Sequence, residues 1–78
     1  MIDYNEKAVG NTIKQIRIER KMTQEVLSGL AGIARSHIAM IENNKKQANF
    51  KTLWQIANAF DIKPSDLDKR IEQNAQKN

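Results

Sequence analysis

Residues 23–46 constrain the fold of this chain more than any other segment, because they contain two short helical patterns on either side of Gly32. Thr23 can cap the first pattern, since its hydroxyl can accept a hydrogen bond from an unpaired amide at the start of a helix. Gly32 can adopt the left-handed backbone conformation that ends one helix and turns the chain without a Cβ clash. The segment therefore predicts two consecutive helices, over about 24–31 and 35–43, joined by a sharp turn.

The second of these helices has two different faces. Ile38 and Ile41 recur at helical spacing on one side and are expected to be buried. The opposite side is expected to face outward, and it carries Arg35, Ser36, Ala39 and Met40. A helix that exposes such a face can lie in the major groove of DNA.

Arg35 is the favoured base reader of this helix, because a guanidinium can donate two hydrogen bonds to the O6 and N7 atoms of guanine. A phosphate contact or a free surface arginine is the alternative. Ser36 can contact a base or a phosphate, whereas Ala39 and Met40 offer only apolar contact, for instance with a thymine methyl group. Because the helix has few polar readers, part of any specificity is expected to come from DNA shape.

Apolar periodicity predicts three further helices and no strand. A first helix over about 5–20 has apolar residues at i, i+4 and i+7. Asn49 can cap a fourth helix over about 50–60, and Pro64 fits the first turn of a fifth that continues to about residue 72. The sequence thus predicts a compact, all-α, five-helix domain over residues 1–72. The polar tail at 73–78 lacks an apolar face and is expected to be disordered.

Composition narrows the classes of protein to which the chain can belong. The 78 residues include no cysteine, so neither a disulfide framework nor a thiolate metal site can support so small a core, and self-association is the remaining support. A single histidine, no cluster of metal ligands and no phosphate-binding glycine loop argue against an enzyme and a bound cofactor. No second domain for a small-molecule ligand is expected in a chain of this size. Without an apolar run or a signal peptide, no membrane association and a cytoplasmic location are expected.

The net charge of +4 is concentrated in the middle of the chain. Residues 14–51 hold eight bases and three acids, a net charge of +5, whereas residues 1–13 sum to −1 and residues 52–78 to zero. The excess coincides with the proposed reading helix, as a surface that binds a polyanion requires. An ordinary solvated basic surface is the alternative.

Motifs along residues 9–68 follow one another in the order and spacing of a known family. The first helix has two apolar residues and an arginine, and the second begins with Thr-Gln-Glu and is followed by a turn glycine. The third helix ends with two hydrophobic residues and a glutamate, and the fourth and fifth helices each have a signature of their own. The matching residues are Ile13, Ile16, Arg17, Thr23, Gln24, Glu25, Leu27, Gly32, Ile38, Ile41, Glu42, Leu53, Ile56, Ala57, Ala59, Phe60 and 64–67. As an ordered set they resemble the Xre-type, or phage-repressor-like, family of helix-turn-helix DNA-binding proteins. The chain is similar to phage repressors and restriction–modification controller proteins, and the resemblance puts the helix-turn-helix at helices two and three.

The resemblance implies DNA contacts beyond the reading helix. Gln24 and the amide end of helix two are expected to meet a backbone phosphate. The residues expected to clamp neighbouring phosphates are Asn43, Asn44, Lys45 and Lys46. For the two lysines the alternative is a solvated charge that favours the helix dipole. His37 is expected to contact a phosphate or a base edge, with a surface histidine as the alternative.

At two positions, the resemblance implies residues that support the fold and do not contact DNA. In the family, an arginine of helix one and a glutamate that ends helix three form a partly buried ion pair, which implies a pair between Arg17 and Glu42. Two independent surface charges are the alternative.

Ala34 departs from the family because a serine or threonine usually caps the reading helix there. Asn44 replaces a common glycine, but asparagine tolerates the left-handed conformation.

The family often forms a two-fold dimer through helices four and five. The residues expected at such an interface are Trp54, Ile62, Leu67 and Ile71. The alternative is that these side chains complete the core of a monomer. Val26 and Leu30, four residues apart on helix two, are a second expected contact patch.

The expected function is that of a sequence-specific transcriptional regulator. The resemblance favours a homodimeric repressor that binds double-stranded DNA at a near-palindromic operator through the major groove. The alternative is an antitoxin-like interaction protein that has the same fold but mainly binds a protein partner.

Overall fold

The computed structural model describes residues 6–76, and side-chain caps mark the start of two of its helices. The five helices are α1 (Glu6–Glu19), α2 (Gln24–Ala31), α3 (Arg35–Glu42), α4 (Phe50–Ala59) and α5 (Pro64–Gln76). No strand occurs within this range, so the predicted all-α fold of five helices is confirmed. The predicted first residue of helix one, Asn5, lies outside the described residues.

The turn between α2 and α3 has the predicted geometry. The hydroxyl oxygen of Thr23 accepts a hydrogen bond of 3.1 Å from the amide of Val26, which caps α2. Gly32 is left-handed, with φ of 70° and ψ of 33°, and its amide donates to the carbonyl of Ser28. The left-handed conformation ends α2 after Ala31 and redirects the chain into α3.

Three other helices also end near a residue in the left-handed conformation, although none of the three is glycine. Lys21, Asn44 and Asp61 follow α1, α3 and α4, with φ of 56°, 61° and 56° respectively. Asparagine and aspartate adopt this conformation more readily than most residues. Asn44 therefore supports the turn after α3 as the sequence predicts for a residue in the place of a glycine.

One apolar core joins the five helices. Its buried members are Ile13, Ile16, Leu27, Ala31, Ile33, Ile38, Ile41, Ile56, Ala57, Phe60 and Leu67. The inward stripes of α1, α2 and α3 thus converge on one another, and α4 and α5 close the core. This packing fixes the rotation of α3 about its axis, and so decides which of its residues face solvent.

Helix α5 is longer than the sequence predicts. It continues to Gln76, and the side-chain amide of Asn74 donates to the hydroxyl of Thr12 at 2.6 Å and to Oε1 of Gln15 at 3.1 Å. The prediction of a disordered tail from residue 73 is therefore wrong for residues 73–76, because polar contacts with α1 hold this turn. Residues 77–78 lie outside the described part of the chain.

None of these helices combines the length and the apolar character that a membrane crossing requires, as far as residues 6–76 are concerned.

Candidate nucleic-acid interface

Helix α3 presents one face to the core and one to solvent. Ile38 and Ile41 are buried, with 0% and 1% of their surface exposed. Of the four expected base readers, Arg35, Ser36 and Met40 are exposed and Ala39 is half-buried. The exposed face is therefore the one that the sequence predicts, and its polar members are in the first turn.

The C-terminal end of α3 is held by an ion pair with α1. The guanidinium of Arg17 donates from Nε to Oε2 of Glu42 at 2.8 Å and from Nη2 to Oε1 at 3.0 Å. Its third donor, Nη1, reaches the carbonyl of Met22 at 2.8 Å. Glu42 is buried, and the hydrogen bond that its carboxylate accepts raises the pKa of Arg17 against the opposing effect of desolvation. The expected contact between the two residues is present, and it joins α1 directly to α3.

Gln24 lies between this pair and the exposed face of α3. Its Nε2 donates to Oε1 of Glu42 at 3.1 Å, and its Oε1 accepts a hydrogen bond from Nη1 of Arg35 at 3.4 Å. The first residue of α2 is thus in contact with both ends of α3. The resemblance implies only a phosphate contact for Gln24, and nothing in the sequence pattern indicates its hydrogen bonds with Glu42 and Arg35.

The segment after α3 carries the other expected phosphate contacts. Asn43, Asn44, Lys45 and Lys46 are all exposed. The backbone amides of the two lysines donate to the carbonyl of Met40, at 2.8 Å and 3.3 Å, which holds this turn against the end of α3. Two exposed lysine side chains therefore lie beside the end of α3.

Two further residues, Ala34 and His37, lie at the start of α3. His37 is half-buried in its first turn. Ala34, at the N-cap, provides no side-chain hydrogen bond, as the departure from the family pattern predicts. The start of α3 is therefore fixed by packing and by the ordinary backbone bonds, and without a side-chain cap.

Gly10 helps to determine the position of α3, although no motif in the sequence indicates this role. A Cβ atom at this position of α1 would lie 2.2 Å from the carbonyl oxygen of Ile41 and 2.8 Å from Oδ1 of Asn44. Only a residue without a side chain allows the end of α3 to approach α1 so closely. The available signal was a glycine inside a helical pattern, which suggests a close contact but does not identify the partner.

The surface of α4 and α5 differs in part from the predicted dimer interface. Trp54 is 48% exposed, and Ile62 and Ile71 are half-buried. Leu67 is only 1% exposed, so the prediction that it forms a dimer surface is wrong: it faces inward and belongs to the core. Phe50, the first residue of α4, is 72% exposed.

Phe50 and Trp54 form an aromatic pair on the outer side of α4, with ring centroids 5.6 Å apart. They border a groove of about 450 Å³ between α4 and α5, which Leu53, Pro64 and Ile71 also line.

Val26 and Leu30, the second expected contact patch, are 49% and 59% exposed on α2. The part of the chain that the structure describes contains no group of three or more side chains suited to hold a metal ion.

Similar proteins include a repressor and a transcriptional regulator. The immunity repressor protein of Bacillus phage phi105 is 42% identical over 59 residues, which cover 76% of this chain and 41% of the repressor. An uncharacterised HTH-type transcriptional regulator of Archaeoglobus fulgidus is 34% identical over 55 residues, which cover 70% of this chain and 78% of that protein. This chain therefore matches less than half the length of the phage repressor.

Solved structures of restriction–modification controller proteins have the same fold. Wild-type C.Esp1396I matches 97% of this chain and 99% of its own length, with a TM-score of 0.87 and 26% identity. The C.Esp1396I tetramer in complex with its natural 35-base-pair operator matches with a TM-score of 0.86 and 26% identity, covering 95% of this chain and 97% of that chain. C.AhdI from Aeromonas hydrophila matches 80% of this chain and 94% of its own length, with a TM-score of 0.75 and 26% identity.

A family model described as helix-turn-helix, HTH_3, matches residues 13–67, which include the whole of α2 and α3 and most of the core. The chain belongs to the Xre-type, or HTH_3, family of DNA-binding helix-turn-helix transcriptional regulators.

Proposed function

We propose that this protein is a homodimeric transcriptional repressor that binds a near-palindromic operator by inserting α3 into the major groove. The observation that carries the proposal is the exposed first turn of α3, where Arg35 and Ser36 face solvent while Ile38 and Ile41 are buried in the core. Side chains in the first turn of a recognition helix are those that reach base edges when the helix enters the groove. Arg35 then reads guanine, and Ala39 and Met40 provide apolar contact one turn later.

Charge and helix geometry support the phosphate contacts of this proposal. Gln24 is the first residue of α2, where unpaired amides and the helix dipole favour an anion. The exposed Asn43, Asn44, Lys45 and Lys46 follow α3, and His37 is near its start. Contacts at both ends of α3 would fix its position along the groove, while the base contacts decide the sequence.

The groove between α4 and α5 supports the homodimer. Phe50 and Trp54 expose two large aromatic side chains there, and burial of such side chains is a strong source of binding free energy. A two-fold axis through this surface would bring Trp54, Ile62 and Ile71 together with their copies in the partner subunit. It would also present two reading helices to DNA, one helical turn apart at ~34–36 Å.

Similarity to other proteins supports repression and operator binding. The phage phi105 relative is named an immunity repressor, and C.Esp1396I has been solved as a tetramer on its natural operator. Occlusion of a promoter by a bound dimer is the simplest form of regulation that fits this proposal.

Selection from a library of randomised DNA duplexes, followed by sequencing, tests the proposal. The expected result is an enriched inverted repeat whose half-site centres are about 10 base pairs apart, or a multiple of that spacing. The Arg35→Ala variant should lose the preference for guanine at one position of each half-site. An enriched sequence without two-fold symmetry would contradict the dimeric arrangement, and the absence of any enriched sequence would contradict the regulator.

The exposed Val26 and Leu30 support a second candidate function, that of an interaction protein whose main task is to bind a protein partner. The test is co-expression with the product of the neighbouring gene, followed by sedimentation analysis. A stable complex that a Val26→Ser/Leu30→Ser variant loses, while it still binds the operator, would favour this candidate.

A further inference from the structure

Helix α1 connects the reading helix α3 to α5, which carries part of the proposed dimer surface. It packs against both of them, while α2 makes a second connection by packing against α3 and α4. The Arg17–Glu42 ion pair and the close approach of Gly10 to Ile41 fix one side of α1 to α3. The position of α5 relative to α3 therefore depends on how α5 is attached to α1.

A row of polar contacts attaches α5 to α1. The side-chain amide of Asn74 donates to the hydroxyl of Thr12 at 2.6 Å and to Oε1 of Gln15 at 3.1 Å. About one turn earlier on α5, the guanidinium of Arg70 donates to the carboxylate of Glu19. The three partners on α1 are spaced i, i+3 and i+7, so at 3.6 residues per turn they share the side of α1 opposite its contacts with α3.

Asn74 makes the stronger of the two attachments. Thr12 is fully buried, and a buried hydroxyl that loses its hydrogen-bond partner carries a desolvation cost. The pair between Arg70 and Glu19 is in contact with solvent, where an ion pair contributes little. Because Ile71 is only three residues before Asn74, the hydrogen bonds of Asn74 fix the part of α5 that carries an expected dimer residue.

We infer that Asn74 is a positioning residue for the distance between the two reading helices of the dimer, and that it restricts the dimer to one spacing of the operator half-sites. The inference rests on the proposed function and deepens it. A shift of α5 relative to α3 occurs in both subunits of a two-fold dimer, so the reading helices move by up to twice that shift. Since successive base pairs are about 3.4 Å apart, a shift of about 1.7 Å per subunit corresponds to one base pair. The accompanying rotation is about 17° per subunit, half of the turn between neighbouring base pairs.

The hydrogen bonds of Asn74 oppose such a shift. To bind half-sites at another spacing, the wild-type dimer must move α5 against α1 and break these bonds. An Asn74→Ala variant has no such bonds to break, and alanine is a good helix former, so α5 is kept while its movement becomes easier. The preference for one spacing should fall, whereas base preferences within a half-site depend on α3 and should stay the same.

The test is a selection with the full-length protein from duplexes in which two inverted half-sites, partly randomised, are separated by spacers of different lengths. We expect Asn74→Ala to reduce the preference for the wild-type spacing over spacings one base pair longer or shorter by about 3- to 10-fold, within the range that a hydrogen bond of ordinary strength contributes. Sedimentation equilibrium should give the variant the association constant of the wild type.

Two further variants complete the experiment. Thr12→Val removes the buried acceptor from the α1 side and keeps a similar shape, so it tests the same contact even if Asn74→Ala does not fold. Its effect on the spacing preference should have the same direction and be smaller, because the bond to Gln15 remains. Gln73→Ala, which changes the exposed neighbour of Asn74 on α5, is the matched control and should leave the spacing preference unchanged.

The possible outcomes separate this inference from the proposed function. If Asn74→Ala weakens binding by the same factor at every spacing, Asn74 only stabilises the fold, and the inference is overturned while the proposed function stands. A variant that loses the spacing preference because it no longer dimerises would also overturn it, since Asn74 would then support the interface itself. A wild-type dimer that accepts neighbouring spacings equally well would overturn it too. A wild-type protein that enriches no inverted repeat would overturn the proposed function and the inference together.

Discussion

The guanidinium of Arg17 and the carboxylate of Glu42, 25 residues apart in the sequence, form a bidentate ion pair. The Nε–Oε2 distance is 2.8 Å and the Nη2–Oε1 distance is 3.0 Å. The pair joins the last turn of α1 to the last residue of α3. Because Glu42 also accepts a hydrogen bond from Gln24 in α2, one buried carboxylate connects three helices. The position of the reading helix thus depends on a polar contact as well as on the apolar core.

Removal of one member of this pair should strongly destabilise the protein. Arg17→Met leaves the buried carboxylate of Glu42 without its cation, and such a change costs about 3–5 kcal/mol of unfolding free energy. Urea denaturation of both proteins measures the difference. The double variant Arg17→Met/Glu42→Leu leaves no unpaired charge and should recover most of the loss. A single variant within about 0.5 kcal/mol of the wild type would mean that the pair contributes no more than a surface ion pair.

The same contact should be insensitive to alkaline pH. The hydrogen bond from Arg17 to Glu42 raises the pKa of the guanidinium, so the folded chain holds this proton more tightly than the unfolded chain. The resulting stability is present below the unfolded pKa and is lost only as pH rises through the folded pKa, and both values lie well above pH 10. The difference in unfolding free energy between wild type and Arg17→Met should therefore be equal at about pH 7 and about pH 10. A difference that decreases over this range would show that another titrating group controls the pair.

Two glycines within helices should respond in opposite directions to alanine. Apart from its chain neighbours and the backbone of its own helix, no heavy atom lies within 4 Å of a Cβ built at Gly29, whereas a Cβ at Gly10 would be 2.2 Å from the carbonyl oxygen of Ile41. Gly29→Ala should therefore raise the unfolding free energy by about 0.5–1 kcal/mol, because alanine loses less backbone entropy in a helix. Gly10→Ala should lower the thermal unfolding midpoint and also weaken DNA binding, since α3 must move away from α1. Two variants of equal stability would contradict the close approach of the two helices.

The parts of the fold that depend on local chemistry could be predicted from the sequence. Helix α2 has the predicted limits because Thr23 caps its start and Gly32 ends it, and both signals act within one turn of the chain. The two faces of α3 follow from the spacing of Ile38 and Ile41. The contact between Arg17 and Glu42 was expected only through the resemblance, because no periodicity relates residues so far apart.

Features that depend on tertiary contacts could not be predicted. The last turn of α5 is held by Asn74, whose partner Thr12 belongs to another helix, so its local sequence looks like a polar tail. Phe50 is in register with the inward residues of α4, but at the first residue of the helix the core does not reach it. The position of Leu67 in the core, and the two contacts of Gln24, likewise required the relative placement of the helices.

The aromatic pair on α4 should control self-association. Phe50 and Trp54 are 72% and 48% exposed beside the groove between α4 and α5, and we expect a dimer to bury them. Trp54→Ser should therefore shift sedimentation equilibrium toward the monomer and remove the concentration dependence of the thermal unfolding midpoint. Ile18→Ser, which changes an exposed isoleucine on α1, is the control and should leave both measurements unchanged. A Trp54→Ser variant with the association constant of the wild type would place the dimer interface elsewhere.

The two lysines after α3 should contribute affinity without specificity. Lys45 and Lys46 are exposed beside the end of the reading helix, and each phosphate contact releases condensed counterions from DNA. Lys45→Gln/Lys46→Gln should therefore reduce the slope of log K against log salt concentration by about 1.8, since each contact contributes about 0.9. The loss of affinity should be the same for an operator and for an operator with one altered base pair. Lys69→Gln, an exposed lysine on α5, should change the slope little. If the two lysines only neutralise the helix dipole, the slope will be unchanged and the unfolding free energy will fall by a few tenths of a kcal/mol.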